Sequence, residues 1–308
     1  MDKRRDATVI FCIRKVLLIT IATLLPYLLL AQNYDGDSNY VSSFKGTRLI
    51  GLHTVETLNK GSLEFRVSHR FGDFSSGAFN FWGFDGPVNI RLGLDYSITD
   101  NFTVGVGRSS LDKLYDGFLK YRLLRQTADD GMPITLTLLA TGNIVSLKNG
   151  TNTLEGVNQF DYFSDRFIYM FQAMVARRFT ERLAVQLSPI FIHYNLVLNA
   201  TDKNDIYALA GSFRYKFSKR MSVTGEYILR LGKYTASQSV YHNSVSVGLE
   251  IETGAHVFQL FIANSQAINE VQFISFTNSS WSRGQIRLGF NISRVFATGR
   301  KRIKGNRY

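Results

Sequence analysis

Residues 88–106 read VNIRLGLDYSITDNFTVGV. Val88, Ile90, Leu92, Leu94, Tyr96 and Ile98 alternate with Asn89, Arg91, Gly93, Asp95 and Ser97, a period of two that belongs to a strand with one apolar and one wet face. Thr99-Asp100-Asn101 then breaks the pattern, and those residue types favour a tight turn. Alternation resumes from Phe102, so the stretch predicts an antiparallel hairpin.

The same rhythm extends in both directions. Leu63, Phe65, Val67 and Phe71 are set among Glu64, Arg66, Ser68 and Arg70; Val245, Val247, Leu249 and Ile251 among Ser244, Ser246, Gly248 and Glu250; Ile286, Leu288, Phe290 and Ile292 among Gln285, Arg287, Gly289 and Asn291. With the weaker segments included, about twelve strands are expected, starting near residues 62, 88, 102, 115, 134, 166, 183, 205, 222, 243, 256 and 284. Their lengths suit the ~9–11 residues with which a tilted strand crosses a bilayer. Connections after the even strands are mostly short, as at Thr180-Glu181-Arg182 and Ser218-Lys219-Arg220, whereas those after the odd strands are mostly long. A soluble sandwich has no reason to sort its loops by side. Short turns on one side, long loops on the other and an even strand count describe a transmembrane antiparallel up-and-down β-barrel. Closure is required, because hydrocarbon leaves an open sheet edge unpaired. Aromatic girdles are expected from Tyr96, Phe102, Phe179, Tyr215 and Phe217 beside the turns, and from Phe71, Tyr115, Tyr194, Tyr207 and Tyr241 beside the loops.

The chain has 308 residues, with 24 Phe, 15 Tyr and 25 Gly but one Cys, which argues against disorder and against a disulfide scaffold. The formal charge of +12 invites a nucleic-acid reading, yet much of it sits at the ends. Lys3, Arg4, Arg5, Arg14 and Lys15 precede an apolar run from Val16 to Leu30, with Ala31 at the exit; Arg300, Lys301, Arg302, Lys304 and Arg307 close the chain. Residues 1–31 read as a cleaved signal peptide that takes Cys12 with it. The expected division is then 32–61 as a periplasmic lead-in or plug, 62–296 as the barrel and 297–308 as a basic tail. No nucleic-acid partner is expected.

Three stretches, GTRLIGLHTVETLNKGSLEFRVSHRFGDF (46–74), IRLGLDYSITDNFTVGVGRSS (90–110) and YDGFLKYRLLRQ (115–126), resemble an uncharacterised family of outer-membrane β-barrels in Gram-negative bacteria. The resemblance implies a barrel in the cell outer membrane, contacts with outer-membrane lipid and lipopolysaccharide, and passage through the barrel-assembly machinery. It implies no activity and no catalytic residues.

Chemistry-bearing patterns are sparse. His53, His69, His193, His242 and His256 show no metal-ligand spacing, so no metal or cofactor is expected. His193 and His242 with Ser239 or Ser244 are the only rim candidates for a hydrolase, and serine is common in these loops; the chain is not expected to be an enzyme. Gly105 and Gly107 lie at alternate strand positions, which suits a lumen wall better than a phosphate loop. Parity places Arg66, Arg70, Arg91, Lys120, Arg122, Arg178, Arg214, Lys216, Arg230 and Arg287 on the wet face with Glu64, Asp95, Asp116, Glu226, Glu250 and Glu252. Left unpaired, the cations would make a pore favour small anionic solutes; paired across strands, the charges would fill the lumen. The loop carrying Phe74, Phe79, Phe81, Trp82 and Phe84 either folds inward as a constriction, lies on lipid at the rim or docks a protein. Residues 41–59 alternate weakly and read as a lead-in, an extra strand or a small plug. Two functions follow: a narrow porin-like channel, or a non-conducting barrel that presents its loops to a surface partner.

Overall fold

The computed structural model describes residues 40–152, 159–197, 202–232, 241–254 and 256–297. The expected signal peptide, the tail beyond Ala297 and Ser239 lie outside them. Twelve strands form: β1 (Ser62–Arg70), β2 (Asn89–Thr99), β3 (Phe102–Ser109), β4 (Leu114–Leu124), β5 (Thr135–Val145), β6 (Phe167–Arg178), β7 (Leu183–Tyr194), β8 (Asp205–Lys216), β9 (Met221–Leu231), β10 (Ser244–Thr253), β11 (His256–Ala263) and β12 (Arg287–Ala297). Each pairs antiparallel with its neighbours in sequence, and β1 closes the sheet against β12 in unbroken register from Ser62↔Ala297 to Arg70↔Gly289. The expected up-and-down barrel is observed.

Its outer surface is apolar. Leu92, Leu119, Phe171, Leu187 and Leu260 are each about half exposed, while Glu64, Arg66, Arg91, Asp95 and Lys120 are buried inside. This is the reverse of a water-soluble domain and matches a wall solvated by lipid. Among the described residues no helix is long and apolar enough to cross a membrane; the strands do the crossing.

The inner wall has two unlike halves. Along β1–β4 and β9–β12 the inward positions are mostly polar or charged. Along β5–β8 they are largely apolar: Leu139, Ile168, Met170, Met174, Ile190, Ile192, Ile206, Ala208 and Ala210 are all buried. Two segments outside the sheet fill the space between the halves.

Candidate functional site: a filled lumen

The first insertion is the stretch before β1. It is neither an extra strand nor a lead-in outside the barrel, but a hairpin inside it. Val41 N–H donates to the Gln126 carbonyl at the β4–β5 turn, and the chain returns at Lys60, whose N–H donates to Asp100 in the β2–β3 turn. Both ends therefore lie at the short-turn mouth, while the tip, Leu49–Leu52, reaches inward. The arms are tied by Thr54 N–H to the Thr47 carbonyl at 2.9 Å, and by Glu56, which accepts from the N–H groups of Ser43 and Phe44. Phe44, Leu49, Leu52 and Val55 are buried in the same apolar cluster as the β5–β8 wall.

The polar half of the wall, joined by Gln186 and Thr137, holds the hairpin by its main chain. Glu226 accepts from the N–H groups of Gly51 and Leu52 at 3.0 Å each. Arg66 donates to the Leu49 carbonyl at 2.6 Å, Lys120 to that of Thr47 at 3.1 Å, and Asn291 to that of Ile50 at 2.9 Å. Gln186 accepts from Val55 N–H at 2.9 Å and donates to the His53 carbonyl at 2.8 Å, and Thr137 Oγ1 donates to the Val55 carbonyl.

The second insertion enters from the loop side. Residues 264–280, between β11 and β12, fold down into the barrel around a short helix, α1 (Glu270–Ser275), whose residues are all buried. Asn269 caps it through Val271 N–H and also donates to Asp116 and Asn143 on the wall. Arg70 grips the carbonyls of Ser265 and Ala267, Arg230 that of Ser275, and Arg287 that of Asn264. Tyr194, expected in the outer girdle, instead turns inward and donates to the Val271 carbonyl; Tyr241 packs edge-on against Phe276 of this strap. Near-continuous apolar character at the loop ends of β6 and β7 draws them in.

Hairpin and strap meet at His53. Its N–H donates to Glu270 at 2.9 Å, and its Nε2 stands 3.8 Å from the second oxygen of the same carboxylate. Burial, then the charges of Arg48, Lys120, Arg91 and Arg66, hold the imidazole well below its ordinary pKa. Burial also raises the Glu270 carboxyl, against the lowering influence of Arg48 and Arg91. Gly51 sits where a Cβ would come 2.9 Å from the Phe273 ring, so the contact between the insertions needs glycine there.

The wet-face charges expected from parity largely do face inward, but they do not form an unpaired ring. Arg91 pairs with Asp116, and Arg214 with Glu250 and Glu252. Arg122 donates to the Asp100 carbonyl and stands 3.7 Å from Glu56 of the hairpin. Arg66, Arg70, Lys120, Arg230 and Arg287 hold carbonyls of the two insertions, as described. Glu64 accepts from Thr47, while Asp95 lies buried beside the same cations. Arg178 and Lys216 lie at the short-turn mouth, lining a cavity of about 360 Å³ with Lys45 and Arg182. Gly107 makes room for Arg91: a Cβ there would collide with the guanidinium.

The aromatic loop does not constrict the lumen. Phe79 is 94% exposed, Phe74, Phe81, Trp82 and Phe84 are also exposed, and the Phe84 ring packs at a tilt against Phe71, which lies against outward-facing His69 and Phe290. The loop thus folds over the outside of the rim. His193 does not meet Ser244, which is buried on the inner face; it pairs with Asp205 at 2.6 Å on the outer face. Among the described residues no group of His, Cys, Asp and Glu is placed to hold a metal ion.

A family model described as a membrane bound beta barrel domain (DUF5777) matches residues 44–296, from the first arm of the hairpin to the end of β12. The chain belongs to this family. Similar solved structures include the KdgM porin, at 12% identity and TM-score 0.47 over 76% of this chain and 99% of that one. The COG4313 outer membrane channel from Pseudomonas putida F1 gives 15% identity and TM-score 0.47 over 79% and 98%. Omp33 of Acinetobacter baumannii gives 9% and 0.38 over 77% and 99%. No curated protein matches the sequence significantly. The family and the barrel fold point to the outer membrane.

Proposed function

We propose that this member of the family is a narrow outer-membrane channel for small solutes, leaning anionic, and that its N-terminal hairpin keeps it closed until displaced. The observation that carries this reading is how the hairpin is held. It enters and leaves by one mouth, and most of its polar contacts with the wall are hydrogen bonds that water can replace. Cavities of about 360 and 300 Å³ flank its stem at Ser42 and Lys45. Withdrawal also exposes Phe44, Leu49, Leu52 and Val55, each costing about 1.5–3 kcal/mol. Spontaneous opening is therefore rare, and a ligand or partner that favours the open form must supply the difference. The anionic lean rests on the excess of wet-face Arg and Lys over Asp and Glu. Outer-membrane lipid and lipopolysaccharide surround the wall, and the barrel-assembly machinery inserts it. No catalytic role is assigned.

A second reading, a non-conducting barrel that docks a surface partner, is favoured by one observation: the exposed rings of Phe79, Phe81 and Trp82 at the rim. A disulfide lock separates the two. Val55→Cys with Thr137→Cys joins two adjoining residues, the Thr137 hydroxyl donating to the Val55 carbonyl at 2.7 Å. In planar bilayers the full chain should show infrequent current steps, Gln186→Ala more of them, and the oxidised lock none until reductant is added. Silence from Gln186→Ala, or steps indifferent to the lock, would overturn the channel reading.

A further inference from the structure

We infer that the lumen is a main-chain-reading site whose exchange ligand is an extended oligopeptide. The inference deepens the channel proposal and rests on its reading of the hairpin as displaceable. Six wall side chains, Glu226, Gln186, Arg66, Lys120, Thr137 and Asn291, hold peptide N–H and C=O groups between Thr47 and Val55. Gln186 does so in the manner of a strand neighbour. It takes the carbonyl of His53 and the N–H of Val55, the two groups that flank Thr54 and that a parallel strand would bond. Direct polar contacts from hairpin side chains to the wall and its turns are fewer: Thr47 on Glu64, Glu56 near Arg122, and, at the mouth, Lys45 on Glu252 and Thr57 on the Asp100 carbonyl.

Recognition through the main chain is indifferent to sequence, and pockets for side chains then add preference. Here the β5–β8 wall supplies the pockets, at the sites filled by Leu49, Leu52 and Val55. The arrangement therefore suits any extended segment with apolar side chains. A sugar offers no alternating N–H and C=O groups, and phosphate is an anion that offers mostly acceptors, which sets like charge and few donors against Glu226. An incoming peptide can replace the hairpin's hydrogen bonds one for one, which lowers the cost of opening.

The test uses the full chain, the Leu52→Ala variant, which loosens the hairpin and leaves the wall site intact, and Leu49→Ala as a second variant should the first lose its heat-resistant electrophoretic mobility. The probe is a capped peptide of the composition of residues 44–56 in scrambled order, compared with the native order, with maltohexaose and with inorganic phosphate. In planar bilayers both peptides should block at concentrations roughly tenfold below the sugar and phosphate, about 1.4 kcal/mol of preference. Equal block by maltohexaose or phosphate overturns the inference, as does block by the native order alone. If neither the full chain nor the variants show current steps, the channel proposal falls and binding is read directly by anisotropy of the labelled scrambled peptide in detergent. Binding to the loosened variant roughly tenfold tighter than to the wild type supports the site. Binding to neither, or equally to both, sinks it.

Discussion

The two halves of the inner wall hold the same insertions by different physics. On the β1–β4 and β9–β12 side, charged and amide side chains grip main-chain groups; on the β5–β8 side, Leu139, Met170, Met174, Ile190 and Ile192 pack against hairpin and strap side chains. Hydrogen bonds exchange with water or with another donor at modest net cost, whereas apolar packing loses free energy in proportion to the surface it hydrates. The polar half therefore governs where an insertion sits and what can replace it. The apolar half governs how rarely it leaves.

Four experiments bear on that contrast. The largest effect is expected from Asp116→Ala, which strands the buried Arg91 guanidinium and removes a wall contact of Asn269; a loss of about 3–5 kcal/mol should appear as a lower urea midpoint for the barrel. Next is Met174→Ala on the apolar side. A cavity there should cost about 2–5 kcal/mol in the same assay and leave the main-chain requirement, peptide over phosphate, unchanged. Loss of that requirement would mean that the two halves do not divide the work. Among the polar contacts, Gln186→Ala on β7 leaves Val55 N–H and the His53 carbonyl without the Gln186 amide, roughly 1–3 kcal/mol for each buried group. The readout is faster amide exchange of the hairpin, with exchange of β6 and β7 unaltered.

The smallest effect is on pH, where His53 and Glu270 oppose each other. The docked imidazole binds fewer protons than a hydrated one, so docking weakens as pH falls through the ordinary histidine value of about 6.5. The docked carboxyl of Glu270 binds more protons than a hydrated one. Its contribution is complete below the ordinary carboxylate range and is lost as pH rises through the elevated value. Acid should therefore loosen the hairpin in Glu270→Gln and tighten it in His53→Asn, each by at most about 1.4 kcal/mol per pH unit. Cysteine accessibility at position 55 against pH measures both. Slopes of the same sign in the two variants would mean that this pair does not set the pH response.

The barrel was legible because alternation is a local signal. Expected strand starts agree with the observed ones to within a residue, except that β12 begins at Arg287 rather than near 284. There the 3-10 turn Trp281–Arg283 and Gly284, at φ 67°, come first. The filled lumen was less legible, since parity alone sorts inward from outward and does not say what lies inside. The signal was present in FIYMFQAMV (167–175), where Ile168, Met170 and Met174 repeat on the inner face the apolar character that Phe167, Phe171 and Val175 give the outer one. A strand apolar on both faces is dry on both. AINEVQFISF (267–276) carried a second, with Asn269 at a helix start and Val271, Phe273 and Ile274 behind it. Its burial depends on contacts with β4, β5, β7 and β9, which no local window contains. The role of the wet-face arginines was hidden for the same reason: their acceptors, carbonyls for Arg66, Arg70, Arg230 and Arg287 and carboxylates for Arg91 and Arg214, lie well away in sequence.

The hairpin's two ends at a single mouth have a topological consequence. A segment that crossed the barrel from one mouth to the other could leave only by threading a free end through the bore or by unzipping the β1–β12 seam. A doubled-back segment needs neither, and can slide out and return while every strand pair of the wall stays closed.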